Sequence, residues 1–462
     1  MTATGMANVG TQESIAIREL RERLFGELVL PGDEQYDEAR QIHNPSIDRR
    51  PAMIVRAADS IDVIRAIEFA RSAGMQVAIR SGGHSLSGQS TIDGGMNIDL
   101  SRMKQVNVDL ENRTAWVQPG VTTADLVAAI EPHGLALTTG DTATVGIGGL
   151  TLGGGIGWMV RKYGLTIDSL LSVEIVTADG RLLTASKNEN PELFWGLRGG
   201  GGNFGIVTGF EFQLQPVGHV YGGVLILPAT REVLSGYATY APYAPDELTT
   251  ITMVMHLPPL PFVPQDYHGK LAFVIFVCYA GDPDAGQVAM TPLRKLAQPI
   301  AELLAPMSYS TLYNFTEIGA VPHDSTIRSG YMQELSSDAI DKLLDHASQN
   351  PMPMGLIQIR ALGGALARVP NDATAFAHRD KRFLLALINI GSGEAVERWV
   401  TDLWEQVQPL TSGNYVNFLA DEGEERIREA YGAEPYRKLT EIKRLYDPRN
   451  VFRMNQNIRP AE

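Results

Sequence analysis

Three glycine-rich stretches in the first half of the chain constrain it most: R-S-G-G-H-S-L-S-G-Q at residues 80–89, G-D-T-A-T-V-G-I-G-G-L-T-L-G-G-G-I-G at 140–157, and R-G-G-G-G-N-F-G-I-V at 198–207. Glycine lacks a β-carbon and reaches positive φ cheaply, so such runs let backbones meet closely or present amide N–H groups to a flat or anionic ligand. The Val, Ile and Leu interleaved through the second stretch make it too apolar for a linker. It is instead a buried backbone lying against something, with close strand or helix packing as the competing reading of that stretch alone. Three such loops predict one extended ligand. Neither G-x-G-x-x-G in a Rossmann β-α-β setting nor G-x-x-x-x-G-K-[ST] occurs, which argues against nicotinamide and P-loop nucleotides. His84, set between glycines, offers a ring nitrogen as nucleophile or ligand contact; a hydrogen-bonded loop histidine is the plainer alternative.

The 462 residues, 44% of them hydrophobic, can bury a large core and suggest two or more domains. A formal net charge of −14 argues against nucleic acid or an anionic membrane as partner, since either needs clustered Lys and Arg. The one cysteine, Cys278, sits in an apolar run and reads as a small buried hydrophobe in a reducing compartment. Glu13, Arg18, Glu19, Arg21, Glu22 and Arg23 precede any long apolar stretch, so neither a signal h-region nor a membrane span is expected, and the expected location is cytoplasmic. No metal site is expected.

Periodicity predicts an amphipathic helix over residues 14–25, a strand over 51–56, a helix capped by Ser60 and ended by Gly74, and a strand over 77–80 that runs into the His84 loop. Strands at 96–100 and 114–118, a helix at 122–130 and a hairpin at 173–186 follow. After about Val217 glycine thins out. Strands at 223–227, 251–257, 271–278, 356–360 and 383–390 alternate with helices at 293–304, 337–347 and 395–408, which predicts a separate α+β domain with an antiparallel sheet. The charged run 421–428 reads as a solvated helical face. Residues 446–458 are unusually rich in side-chain amides, among them Asn455 and Asn457.

With these pieces in place, the chain resembles the berberine bridge enzyme-like family of flavin oxidases, within the vanillyl-alcohol oxidase superfamily. The carrying motifs are R-S-G-G-H at 80–84, V-Q-P-G at 117–120, T-V-G-I-G-G-L-T-L-G-G-G-I-G at 144–157, P-E-L-F-W-G-L-R-G-G-G-G-N-F-G-I-V at 191–207, G-N-Y-V-N-F at 413–418 and Y-D-P-R-N-V-F-R-M-N-Q-N-I at 446–458. The resemblance implies an α+β, two-domain PCMH-type FAD-binding fold whose substrate domain lays an antiparallel sheet over the flavin. Its parts would be a helical extension at 1–45, the FAD-binding domain at 46–220, the substrate domain at 221–412 and a segment at 413–462 returning to the FAD domain.

It also implies that His84 carries FAD covalently through the flavin 8α-methyl group. Thr142 stands where many relatives have a second, cysteinyl link, so a single bond is expected. Arg80, Ser81, Gly82, Gly83, Ser85 and Gln89 would surround FAD in the first loop, and Pro119 and Gly120 beside it. Gly140, Asp141, Gly146, Gly148, Gly149, Gly153, Gly154 and Gly157 would do so in the second stretch. Gly205, Ile206 and Val207 in the third, with Asn455 and Asn457, would complete the set. Val145 falls at the gate associated with dioxygen access, and Leu150 replaces a histidine near the ribityl chain.

The implied reaction is oxidation of a small-molecule alcohol, such as a sugar or secondary metabolite, with dioxygen as acceptor and hydrogen peroxide as product. Tyr415 would act at the substrate hydroxyl and Asn417 would contact flavin or substrate; strand geometry would put both on one face. Gln358 and Arg360 share a parity that would face the ring, and His378-Arg379 is read as structural. An ordinary tyrosine pKa near 10 requires help for base chemistry. A hydroxynicotine-oxidase-like amine oxidase is the alternative, although those relatives lack the tyrosine and tend to carry charged groups where Gln358 and Arg360 lie. A flavin-carrying binding protein with little turnover is the other. A homodimer stays open.

Overall fold

In a computed structural model, residues 14–462 are described; Glu13 and the rest of the first 13 residues of the expected extension lie outside them. The first helix forms at Ile15–Arg23, where the Ser14 hydroxyl accepts from the Ile17 N–H. The extension is not wholly helical, however. Glu27–Val29 is a strand paired antiparallel with Met53–Arg56, because burying Leu28 and Val29 there outweighs local preference.

Met53–Arg56, Met96–Asp99 and Val77–Arg80 continue that sheet as parallel neighbours. The helix Ser60–Ser72 supplies the crossover that parallel strands need. Its N-cap is Asp59 rather than Ser60: the Asp59 carboxylate accepts from the Ile61 and Asp62 N–H groups, and Ser60 is already helical. Val77–Arg80 then delivers the chain into the His84 loop. A second, antiparallel sheet is ordered Val106–Asp109, Thr114–Val117, Ile206–Gln213, Leu170–Val176, Leu182–Ser186. Between its strands run the second and third glycine stretches.

The third sheet has seven antiparallel strands, ordered Ala301–Met307, Val220–Pro228, Leu271–Tyr279, Leu248–His256, Gly355–Ala361, Phe383–Ile390, Ser325–Met332. One face, with Leu225, Leu227, Phe273, Ile275, Ile357 and Leu385, packs against the helices Arg231–Tyr240, Ser337–Gln349 and Glu394–Val407. The opposite face turns toward the glycine loops. The helix expected at 293–304 is instead the short helix Thr291–Arg294 followed by the edge strand Ala301–Met307. Pro299 interrupts the helical pattern, and pairing along Val220–Pro228 wins beyond it; Pro306 is tolerated because the strand is an edge.

The chain returns to the first half through the helices Glu424–Tyr431 and Ala433–Tyr446. Buried Lys443 Nζ donates to the carbonyls of Asn203 and Phe452 and to the Asp447 carboxylate. Asn203 in turn donates to the Gln456 carbonyl and accepts from the Ile458 N–H, so the third glycine loop is clasped by the end of the chain. Cys278 is fully buried, and burial pushes its thiol pKa up. Among the described residues no helix is long and apolar enough to cross a membrane, and no cluster of His, Cys, Asp and Glu is arranged to hold a metal ion.

Candidate active site

The glycine loops meet backbone to backbone. A β-carbon on Gly82 would lie 2.3 Å from the Gly146 nitrogen, and one on Gly146 only 2.4 Å from the Gly82 nitrogen. The Ser81 hydroxyl donates to the Pro119 carbonyl at 2.6 Å, tying in the V-Q-P-G turn. Between this assembly and the open face of the seven-stranded sheet lies a cavity of about 690 Å³.

Ser81, Gly82, Gly83, His84, Ser85 and Gln89 line it, with Pro119 alongside. Gly140, Asp141, Thr142, Val145, Gly146, Gly148, Gly149 and Leu150 line it from the second stretch, and Gly205, Ile206, Val207 and Asn455 from the far end. Tyr415, Asn417, Gln358 and Arg360 reach it as well. Arg80, Gly120, Gly153, Gly154, Gly157 and Asn457 do not. Arg80 is held in a buried ion pair with Asp99 at 2.5 Å. Gly120 and Gly157 admit close carbonyls, those of Leu100 and Thr139; Gly153 makes room for the Asn417 amide, and Gly154 (φ +124°) for Phe376.

His84 stacks on His43 with ring centroids 3.9 Å apart, and His323 meets His43 edge-on at 5.1 Å. Burial, then the neighbouring His43 and His323, pushes the His84 pKa down to about 3; burial and His323 push His43 down to about 4. His84 is therefore neutral at ordinary pH. The Thr144 hydroxyl sits 3.0 Å from its Nε2, which leaves Nδ1 as the second ring nitrogen. The sequence reading missed His43 and His323 and gave Thr144 no role; residues so distant in the chain carry no spacing signal.

Residues 413–418 are not a strand: Tyr415 is extended and Val416–Phe418 is a single 3₁₀ turn. Tyr415 and Asn417 converge nonetheless, because the Asn417 amide donates to the Tyr415 oxygen at 3.0 Å and to the Leu150 carbonyl at 3.1 Å. The N–H groups of Gly155 and Ile156 also point at that phenol oxygen, at 3.1 and 3.2 Å. Burial raises the Tyr415 pKa above its ordinary value, while the three N–H donors and Arg360 pull the other way.

Arg360 donates to Gln358 Oε1 at 2.8 Å and to the Asp141 carboxylate at 2.8 Å, and its guanidinium lies over the Phe418 ring. One ion pair thus joins the second glycine stretch to the sheet, and the same guanidinium holds the Gln358 side-chain oxygen. His378-Arg379 is a packing element: fully buried Arg379 is paired with Asp168 at 2.7 Å.

Two features fit a bound dinucleotide. Gly149 and Gly202 line the cavity, yet a β-carbon on either would meet nothing within 4 Å, so the space there is left open for something other than protein. The Asn455 amide oxygen and the Ser90 hydroxyl, both of cavity-lining residues, are buried with no hydrogen-bond partner among the described residues. A ligand rich in donors and acceptors along its length suits both.

Comparison with known proteins agrees. Residues 51–186 match the FAD binding domain family, and residues 414–459 the berberine and berberine-like family. The chain is 33% identical over 456 residues to an uncharacterised FAD-linked oxidoreductase of Bacillus subtilis, an alignment covering 95% of this chain and 98% of that one. It is 31% identical over 458 residues to (R)-6-hydroxynicotine oxidase of Paenarthrobacter nicotinovorans, covering 94% and 97%. Glucooligosaccharide oxidase of Acremonium strictum, whose structure is described with a 6-S-cysteinyl, 8α-N1-histidyl FAD, is similar with a TM-score of 0.84 at 26% identity, covering 94% and 97%. The chain belongs to the berberine bridge enzyme-like family of FAD-linked oxidoreductases, with the two-domain α+β PCMH-type fold.

Proposed function

We propose that this enzyme oxidises the C–OH centre of a small organic molecule, with FAD attached through His84 alone and dioxygen as the final acceptor. In balance, R₂CH–OH and O₂ give R₂C=O and H₂O₂. FAD when bound supplies the two-electron acceptor and the route to dioxygen. The protein must place the donor carbon and take up the hydroxyl proton.

What carries this reading is the Tyr415 oxygen, on which three N–H donors converge at the wall of the cavity that Gln358 also lines. Donors aimed at one oxygen stabilise its negative form, so Tyr415 is suited to accept the substrate proton once ionised. Gln358, with Oε1 held by Arg360, keeps its amide N–H groups for the substrate oxygen. Neutral His84, bonded by Thr144 at one nitrogen, offers the other for the flavin 8α-carbon. Thr142 lines the cavity with a hydroxyl, which forms no second thioether link. Kinship with (R)-6-hydroxynicotine oxidase favours an amine substrate as a second reading.

Tyr415→Phe is the direct test. Flavin content should stay near that of the parent, while the anaerobic rate of flavin reduction falls on the order of 10²–10⁴-fold. An unchanged reduction rate removes Tyr415 from the proton step.

A further inference from the structure

We infer that the substrate is uncharged and largely apolar, with one hydrogen-bonding end directed to Tyr415 and Gln358; this deepens the oxidase reading and rests on it. Because side chains alternate along a strand, the cavity face of the seven-stranded sheet can be followed rank by rank through its register. Gln358 pairs across with Met253, Met253 with Val274, and Val274 with Ile226. In the next rank Leu356 pairs with Ile388, and Ile388 with Ile327. All of these side chains line the cavity. From Gln358 toward Ile226, and along the Leu356–Ile388–Ile327 rank, a ligand meets only hydrocarbon and thioether; in the other direction Gln358 pairs with Ala386 and Ala386 with Ser329, neither of which lines the cavity.

The rim continues the pattern. Phe262 and Ile318 line the cavity and are still 38% and 49% exposed, so apolar surface reaches solvent at the cavity's edge. Charge is scarce among the described lining residues: apart from the three histidines and the phenols of Tyr415 and Tyr431, the only ionisable side chains are Asp141 and Arg360, and they are bonded to each other. Among the described lining residues no free carboxylate waits for an ammonium group, and no free Lys or Arg for an acid. A sugar brings a hydroxyl on nearly every carbon, and each one buried here without a partner would weaken binding by about tenfold. A hydrocarbon body gains instead, by about fourfold for each methylene buried.

The test uses the flavin-loaded protein and reads ligand binding from perturbation of the flavin absorbance, so that it does not depend on turnover. Straight-chain primary alcohols from butanol to decanol should bind with Kd falling about three- to fourfold per methylene. Cellobiose should bind at least 100-fold more weakly than decanol, and benzylamine at neutral pH at least tenfold more weakly than benzyl alcohol. Met253→Gln should weaken decanol at least fivefold; Phe262→Ser, on the exposed rim where folding is not at stake, should weaken it at least twofold and leave cellobiose unchanged.

A Kd indifferent to chain length, cellobiose binding as tightly as decanol, or benzylamine binding as tightly as benzyl alcohol would overturn the inference. Anaerobic bleaching by cellobiose would also overturn it while leaving the oxidase reading intact. The predicted binding series together with a Tyr415→Phe variant that reduces its flavin at the parent rate would do the reverse.

Discussion

The two walls of the cavity are built on opposite principles. On one side glycine backbones press against one another, and at Gly82 and Gly146 not even a methyl group could be added without moving main chain. On the other, a regular sheet presents alternating side chains, where Met253, Val274 or Ile388 can be exchanged without disturbing the hydrogen bonds that hold the strands. The first wall has a fixed shape and suits a cofactor that never changes. The second keeps its scaffold whatever side chains it carries, and so suits recognition of a particular substrate. Tyr415 and the Asp141–Arg360 pair stand at the seam.

The contrast breaks most visibly at glycine. Gly82→Ala should cost about 3 kcal/mol or more through overpacking against backbone and should leave little flavin-loaded protein, measured as thermal midpoint and flavin-to-protein ratio. Gly149→Ala is the control: its β-carbon meets nothing beyond its own helix, so the flavin-free protein should melt no lower than the parent while flavin loading falls. Equal behaviour of the two would mean that the loops are glycine-rich for packing alone.

At the seam the expected effect is a slope. Because burial raises the Tyr415 pKa above its ordinary value and the phenolate is the active form, the rate of flavin reduction should climb about tenfold per pH unit from about 7 upward without a plateau near neutrality. A flat profile would assign the proton to another group. On the sheet wall the effect should be smallest: Met253→Leu conserves volume and should shift stability by less than about 1.5 kcal/mol while changing the relative rates of two substrates. A stability loss as large as that of Gly82→Ala would erase the distinction between the walls.

The glycine wall was legible in the sequence because a glycine run has few physical meanings, and Val77–Arg80 leading into His84 followed from a β-α-β pattern. Gln358 and Arg360 could be set on one face by strand parity alone. What parity could not supply was the partner: Asp141 lies 219 positions from Arg360, and only tertiary packing joins them. The same limit hid His43 and His323, and it turned A-E-L-L at 301–304 from a helical pattern into an edge strand. Tyr415 and Asn417 were placed together for the wrong local reason, since a 3₁₀ turn brings them together where a strand was expected. The amide-rich terminus is partly explained by the protein itself, with Asn455 donating to the Gly202 carbonyl and Gln456 to that of Leu419.

The most direct measurement is the mass of the protein under denaturing conditions, followed by mapping of any adduct to a peptide. One FAD should remain bound, on the peptide that contains His84, with Thr142 unmodified and the adduct absent from His84→Ala. An unmodified parent mass after loading with FAD, or an adduct on any other residue, would contradict the attachment of the flavin at the junction of the glycine loops.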